Sequence, residues 1–444
     1  MRDSFLINNS CGKKLYSKIK NLPIIDYHNH LSLEALEKDR AFRDIYDLWI
    51  APDPYKHRAM RMCGVEEKYI TGDAGCREKF LKWCETLPKL VGGPLYHWSR
   101  MEIEFLLENQ DFSWNDEALY ERLNTYLREN NVTCKSLLNK FNVRFNCPCA
   151  SLLDDISFFS EDDSLAPSLR GDDIVRPSFD FINKLGEITA IKISDLSSFE
   201  KAIEKRLENF RGVGCRYCDH ALDNGFRYYE DDGLNALRFE KILAGTFSTE
   251  DEKRFSSYML TTLAKAYARL NLVMQLHIGA QRTTSTRLRK IAGKAGGYAA
   301  IGNSVDVNSL TRFFDDIEVS YKLPKTVLFT LNPSDNAMLS VLSGSYSQDG
   351  VKGLITQGPA WWWCDHENGI KNMLEDWSSF GVLSNFIGMT TDSRSFLSFV
   401  RHDYFRRILC NWLGKKKEDG EIFENEDELY FIAEKICYLN AKEI

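Results

Sequence analysis

Residues 22–32 read LPIIDYHNHLS, an apolar run that ends in a histidine pair. LPIID reads as a buried strand, and His28 and His30, two residues apart at its exit, fall on the same side of it. Two imidazoles that share a face at a strand end can chelate one ion. Seven further β-rich runs follow: NVRFNCP from Asn142, SLAPSL from Ser164, GVGCRY from Gly212, NLVMQLH from Asn271, TVLFTLN from Thr326, GLITQGPAWW from Gly353 and NFIGMTTD from Asn385. Segments of helical period lie between them, among them FEKAIEKRLENF from Phe199, SSYMLTTLAKAYARL from Ser256 and IKNMLEDWSSFG from Ile370. Apolar strands alternating with amphipathic helices form a parallel sheet covered by helices, and eight such units predict a closed (β/α)8 TIM barrel of the α/β class.

The stretch 34–135, between the first two strands, is too long for a plain loop. Its segments SLEALEKDRAFRDIYDLWI, EKFLKWCETL and ALYERLNTYLREN predict a helical insertion that caps the active site at the top of the barrel. From Phe399 onward a closing helix and a short C-terminal helix are expected. No repeat, low-complexity tract or Pro/Gly linker interrupts the chain, so residues 1–444 read as one body with an insertion.

The 444 residues are 43% apolar and 27% charged, a balance that can bury a large core. The net charge is −7 and the lysines and arginines are scattered, which argues against nucleic acid as a partner. MRDSFLINNSCGKK lacks the apolar stretch of a signal peptide, and no apolar run approaches the ~18 residues of a membrane span, so a cytoplasmic protein without a membrane partner is expected. Assembly into a homo-oligomer is left open. The twelve cysteines are scattered, and the pairs Cys147/Cys149 and Cys215/Cys218 read as reduced, buried packing thiols rather than a zinc site.

In such a barrel the reacting residues sit where strands run into the following loops. Strand five ends in His277 and strand eight in Asp392; with His28 and His30 they predict a mononuclear divalent metal site, zinc by its ligand types. Strand six ends in Asn332-Pro333 and adds no histidine, which argues against a two-metal centre. Arg394 shares the parity of Asp392, Arg170 closes strand three and Arg282 follows strand five. Together these arginines predict a fork for a carboxylate or phosphate, the competing reading being that each pairs with a structural acid. Trp361, Trp362 and Trp363 offer an apolar wall for a sugar ring.

Taken together, IIDYHNHLS, YITGDAGCREKFL, GGPLYHWS, GCRYCDHAL, MQLHIGAQR, LFTLNPSDN, WWWCDHENGI and GMTTDSRSFLSFVRHDYFRRILC resemble the uronate isomerase (glucuronate isomerase) family of the amidohydrolase superfamily, in order and over nearly the whole chain. The resemblance implies aldose–ketose isomerisation of hexuronates, D-glucuronate to D-fructuronate or D-galacturonate to D-tagaturonate, through an enediol. It implies that His28, His30 and Asp392 hold the metal with His277 beside it, and that Arg170 and Arg394 bind substrate oxygens. Tyr55, in PDPYKHRAMR, matches the family's active-site tyrosine, and Asp219 and Trp361 match pocket residues. Either Asp392 or the Tyr55 hydroxyl would carry the proton.

The chain departs from the family pattern at two places. Pro54 stands where a histidine usually precedes the tyrosine, with His57 as a nearby substitute, and Asn146-Cys147-Pro148-Cys149-Ala150 replaces Thr-Thr-Asp-Asp-Pro after strand two. These departures bear on substrate and rate rather than fold. Two other readings stand beside the isomerase: a mononuclear metal-dependent hydrolase in which Asp392 activates a bound water, and a non-catalytic sugar-acid binding homologue.

Overall fold

The computed structural model describes residues 4–108 and 110–444. Its main sheet has seven strands in the order β1-β2-β3-β4-β5-β8-β9, every neighbouring pair parallel. They are β1 (Ile24–Asn29), β2 (Val143–Ala150), β3 (Ser168–Arg170), β4 (Tyr217–Leu222), β5 (Val273–Ile278), β8 (Thr326–Thr330) and β9 (Ile355–Gln357). A two-stranded antiparallel ribbon, β6 (Ala280–Gln281) with β7 (Ala300–Ile301), projects beyond β5. The sheet curls on itself and helices cover its outside, the TIM-barrel-like α/β architecture expected from the alternating pattern.

The expected eighth strand, residues 385–392, does not form a regular ladder. Its backbone nevertheless closes on β1: Asp392 N–H donates to the His28 carbonyl at 3.1 Å, and His30 N–H donates to the Ser393 carbonyl at 2.8 Å. Side chains capture groups that a ladder would pair. The buried Asp26 carboxylate accepts from the Thr391 N–H at 2.7 Å, the Thr391 hydroxyl at 2.7 Å and the Thr390 hydroxyl at 2.9 Å, and His28 N–H donates to Thr390 Oγ1 at 3.0 Å. Regular pairing also begins later than expected in the third and fourth runs. Pro167 lacks a donor just before β3, and Gly212 ends the helix Leu196–Gly212 rather than opening β4.

Three expected helices are present and longer than their apolar periodicity alone, as Leu196–Gly212, Thr249–Leu270 and Glu367–Phe380. Their caps explain the extra turns. Ser248 accepts from Asp251 N–H ahead of the acidic first turn Glu250-Asp251-Glu252, and Asn271 closes that helix in the left-handed conformation. Between β1 and β2 the chain forms Leu33–Lys38, Ile45–Trp49, Pro54–Met62, Cys76–Thr86, Pro94–Leu106, Leu119–Glu129 and Cys134–Lys140. The helix Val400–Glu418 then packs along Ser10–Ile19. Among the described residues no helix is long and apolar enough to cross a membrane.

The barrel interior is layered. Ile25, Tyr27, Cys147, Tyr217, Val273, Val327 and Phe329 form its apolar floor. The polar groups of the site stand above them. His402 Nε2 lies 3.2 Å from Asp26, so the Asp26 carboxyl ties the closing helix and the 390–391 backbone to β1. Burial pushes this carboxyl up, but His402 and Thr391 outweigh it and hold it below its ordinary value. A carboxyl held low in the folded state binds fewer protons there than in the unfolded chain. Its stabilisation is complete above the ordinary carboxylate range and is lost as pH falls. Asp26→Ala is therefore expected to lose about 3 kcal/mol in urea unfolding at neutral pH, with a shallower loss on acidification than the parent. An unfolding midpoint unchanged at neutral pH would contradict this account of barrel closure.

Candidate active site

The histidine pair reaches the barrel interior by a different route from simple strand alternation. Ile25 and Tyr27 already face inward, and a register shift between Asp26 and Asn29 turns His28 to the same side. Such a bulge at a strand end re-aims one side chain. The His28 ring then lies 5.2 Å from that of His30, 4.6 Å from that of His277 and 6.4 Å from that of Phe329.

Asp392 faces both imidazoles, with Oδ1 3.3 Å from His28 Nε2 and 3.1 Å from His30 Nε2. Its backbone is left-handed, φ 46°, a region that aspartate tolerates better than most residues, and Trp361 Nε1 donates to Oδ2 at 2.8 Å. The expectation that Asp392 and Arg394 both reach the cavity is met, but by this turn rather than by strand parity, since Ser393 between them lines it too. His277, at the end of β5, stacks on Trp361 at 4.7 Å with rings 13° apart and places Nδ1 3.5 Å from Asp219 Oδ2. His28 Nε2, His277 Nε2 and Asp219 Oδ2 are buried and have no hydrogen-bond partner.

The protonation states follow from these neighbours. Burial and the nearby His28 lower the His277 imidazole to about 4, so it is neutral at pH 7. Burial opposes ionisation of Asp219, but Arg170, His277 and His28 overcome it and hold this carboxyl far below its usual range. Asp392 is likewise held well below its usual value, because the adjacent His28 and His30 imidazoles outweigh burial. Two groups of donors lie close enough together to hold a cation, His28/His30/Cys149 and His28/Asp219/His277. Orphaned buried nitrogens beside ionised carboxylates are the arrangement a divalent metal ion satisfies, so the residues fit one.

A cavity of about 640 Å³ opens above this cluster. His30, Tyr55, Cys149, Arg170, His277, Arg282, Trp361, Asp392 and Arg394 line it, while His28 and Asp219 lie fully buried beneath. The arginines differ in their partners. Arg170 donates to Asp172 at 2.8 Å and lies 3.6 Å from Asp219, and Arg282 donates to Asp223 at 2.8 Å. Arg394 is exposed and has no acidic partner among the described residues. Its guanidinium is the one of the three left free for a ligand.

Tyr55 stands in the first turn of Pro54–Met62. Asp53 caps that turn, accepting from Tyr55 N–H at 2.9 Å, and Pro54 at the first helical position pre-sets the backbone. The Tyr55 hydroxyl is buried without a hydrogen-bond partner, and burial, reinforced by Asp365 and Asp392, holds it protonated well above its ordinary range. Beneath it runs a buried charged group absent from the sequence-based expectations. Lys56 Nζ lies 2.8 Å from Asp53 and 3.3 Å from Glu102; Arg401 lies 3.3 Å from Asp365 and over the Tyr55 ring at 5.1 Å. Burial raises the Asp365 carboxyl to about 7 against the pull of Arg401. His57, expected as a nearby substitute, does not line the cavity, and burial lowers it to about 4. Cys149 departs from the expectation of a packing thiol: Sγ lies 3.6 Å from His28 Nδ1 and 3.6 Å from Asp219 Oδ1.

A family profile described as glucuronate isomerase matches residues 1–444. The chain belongs to the glucuronate isomerase family. A protein named uronate isomerase from Geobacillus thermodenitrificans is 39% identical, over 99% of this chain and 98% of its own length. The crystal structure of uronate isomerase from Thermotoga maritima superposes with a TM-score of 0.92 at 28% identity, covering 100% of this chain and 99% of that one. The glucuronate isomerase from Caulobacter crescentus, 21% identical, shares the fold with a TM-score of 0.91 over 100% of this chain and 96% of its own. As a member of the glucuronate isomerase family the chain is an isomerase, which sets aside the hydrolase and the non-catalytic binder.

Proposed function

We propose that this isomerase interconverts the aldose and ketose forms of hexuronates, D-glucuronate with D-fructuronate and D-galacturonate with D-tagaturonate. The carrying observation is that the Asp392 carboxyl, the Tyr55 hydroxyl and the unpaired Arg394 guanidinium line one cavity. Moving a carbonyl to its neighbour requires a base for the C2 proton, return of that proton to C1, and a donor for the oxygens. Asp392, kept ionised by His28 and His30, is the base that takes and returns the proton across the enediol. Tyr55, kept protonated by burial, donates to the sugar oxygens. Arg394 binds the C6 carboxylate, Arg170 and Arg282 orient hydroxyls, and the Trp361 face holds the ring. Asp219 positions His277, whose neutral imidazole faces the reacting oxygens.

His28, His30 and Asp392, with His277 beside them, would hold a divalent ion, which we assign as zinc from the mixture of imidazole and carboxylate donors. When bound, that ion supplies polarisation of the substrate carbonyl. The stretch 34–135 serves as the helical cap of a single body, with Tyr55 carried on it. The hexuronate is the only ligand proposed, neither nucleic acid nor a membrane being a partner, and the proposed location is the cytoplasm, with homo-oligomerisation compatible with this reading.

Tyr55→Phe tests the donor role. The hydroxyl makes no hydrogen bond in the protein, so the variant should unfold at the same urea concentration as the parent while kcat falls about a hundredfold on D-glucuronate. Wild-type turnover in the variant would assign the oxygen protons elsewhere.

A further inference from the structure

The strand-two sequence that departs from the family pattern places a thiol at the metal cluster. Cys147 and Cys149 lie two residues apart on β2, so both point into the barrel. Cys147 belongs to the apolar floor beside Tyr27 and Tyr217, whereas Cys149 stands one step higher, at the strand end. There it lines the cavity, and one donor atom from each of His28, His30 and Cys149 lies within 4.8 Å of the others. Cys149 Sγ faces the ring nitrogen of His28 turned away from Asp392, lying 3.6 Å from His28 Nδ1. Two imidazoles and a thiolate converging from adjacent strands form a donor set suited to a borderline-soft ion such as zinc or cobalt(II).

From this convergence we propose that Cys149 is a direct ligand of the divalent ion held by His28 and His30, adding a sulfur donor to the two imidazoles. On binding, the Cys149 S–H gives its proton to solvent and the sulfur lone pair forms the bond to the ion, with no change of oxidation state. A thiolate ligand brings negative charge to the ion. It also favours softer ions over magnesium or manganese.

The inference rests on the cation assigned above, so the test separates the two. Cobalt(II) is added to the metal-stripped full chain and followed by equilibrium dialysis and by absorption, with Cys149→Ser alongside. The expected result is one tightly bound cobalt and a near-ultraviolet thiolate-to-cobalt charge-transfer band that is missing from Cys149→Ser. The serine variant should still bind cobalt through the histidines, but at least about tenfold more weakly. Alkylation by iodoacetamide, read by peptide mass at Cys149, should slow at least about tenfold when the ion is bound.

Stoichiometric binding without the charge-transfer band, or with alkylation of Cys149 unslowed, overturns the ligand assignment and leaves the cation reading standing. Failure of the parent chain to bind cobalt overturns both. A serine variant that does not fold is replaced by Cys149→Ala, for which loss of the band is expected on the same grounds.

Discussion

Asp392→Asn is expected to lower kcat/KM on D-glucuronate by about a thousandfold, within the range for loss of a positioned general base. Asparagine is nearly isosteric and can still accept from Trp361 Nε1 at the 2.8 Å seen here, so the cavity should keep its shape. It cannot take up the C2 proton. Because the carboxylate also faces both histidines, the ion content of the variant has to be measured in the same preparation. The account predicts that a variant holding its ion remains inactive and also fails to exchange the C2 hydrogen with solvent. Retention of a tenth or more of the parent activity would remove Asp392 from the base role.

Arg394→Met should act on recognition instead. Arg170 and Arg282 are already engaged by Asp172 and Asp223, so neither is as free as Arg394 to meet a carboxylate. Loss of the charged partner of a bound carboxylate costs about 2–3 kcal/mol, and the expected result is a KM for D-glucuronate raised about a hundredfold, with a smaller fall in kcat. Binding of a neutral hexose of the same stereochemistry, read by calorimetry, should be unaffected. Equal losses for the charged and neutral sugars would place Arg394 in a structural role.

Much of the barrel was legible because its strands are short apolar runs with chemistry at their exits. His277 and Asp392 were recognisable on that basis, as were His28 and His30, although the bulge that turns His28 inward leaves no mark in the residue pattern. NFIGMTTD reads like a strand since its apolar residues are indistinguishable from those of a ladder. Its irregularity comes from Asp26, a residue of another strand, drawing away the Thr391 N–H.

The charged residues beneath Tyr55 were hidden for a related reason. Lys56 and Arg401 sit in helices where charge ordinarily marks a solvated face, and only the fold brings Asp53, Glu102 and Asp365 around them. Cys149 was read as a packing thiol because scattered cysteines usually pack as small apolar groups. The available signal was its place two residues beyond Cys147, at the end of the strand that pairs with the histidine strand.

Isomerisation of hexuronates in this cavity requires proton transfer between C2 and C1. The most direct test follows D-glucuronate and D-galacturonate by proton NMR in D2O with the metal-loaded protein. The account predicts formation of the ketose from at least one of them, with deuterium appearing at C1 wherever the base exchanges its proton with solvent. Formation of no ketose from either sugar, with the ion bound, would contradict it.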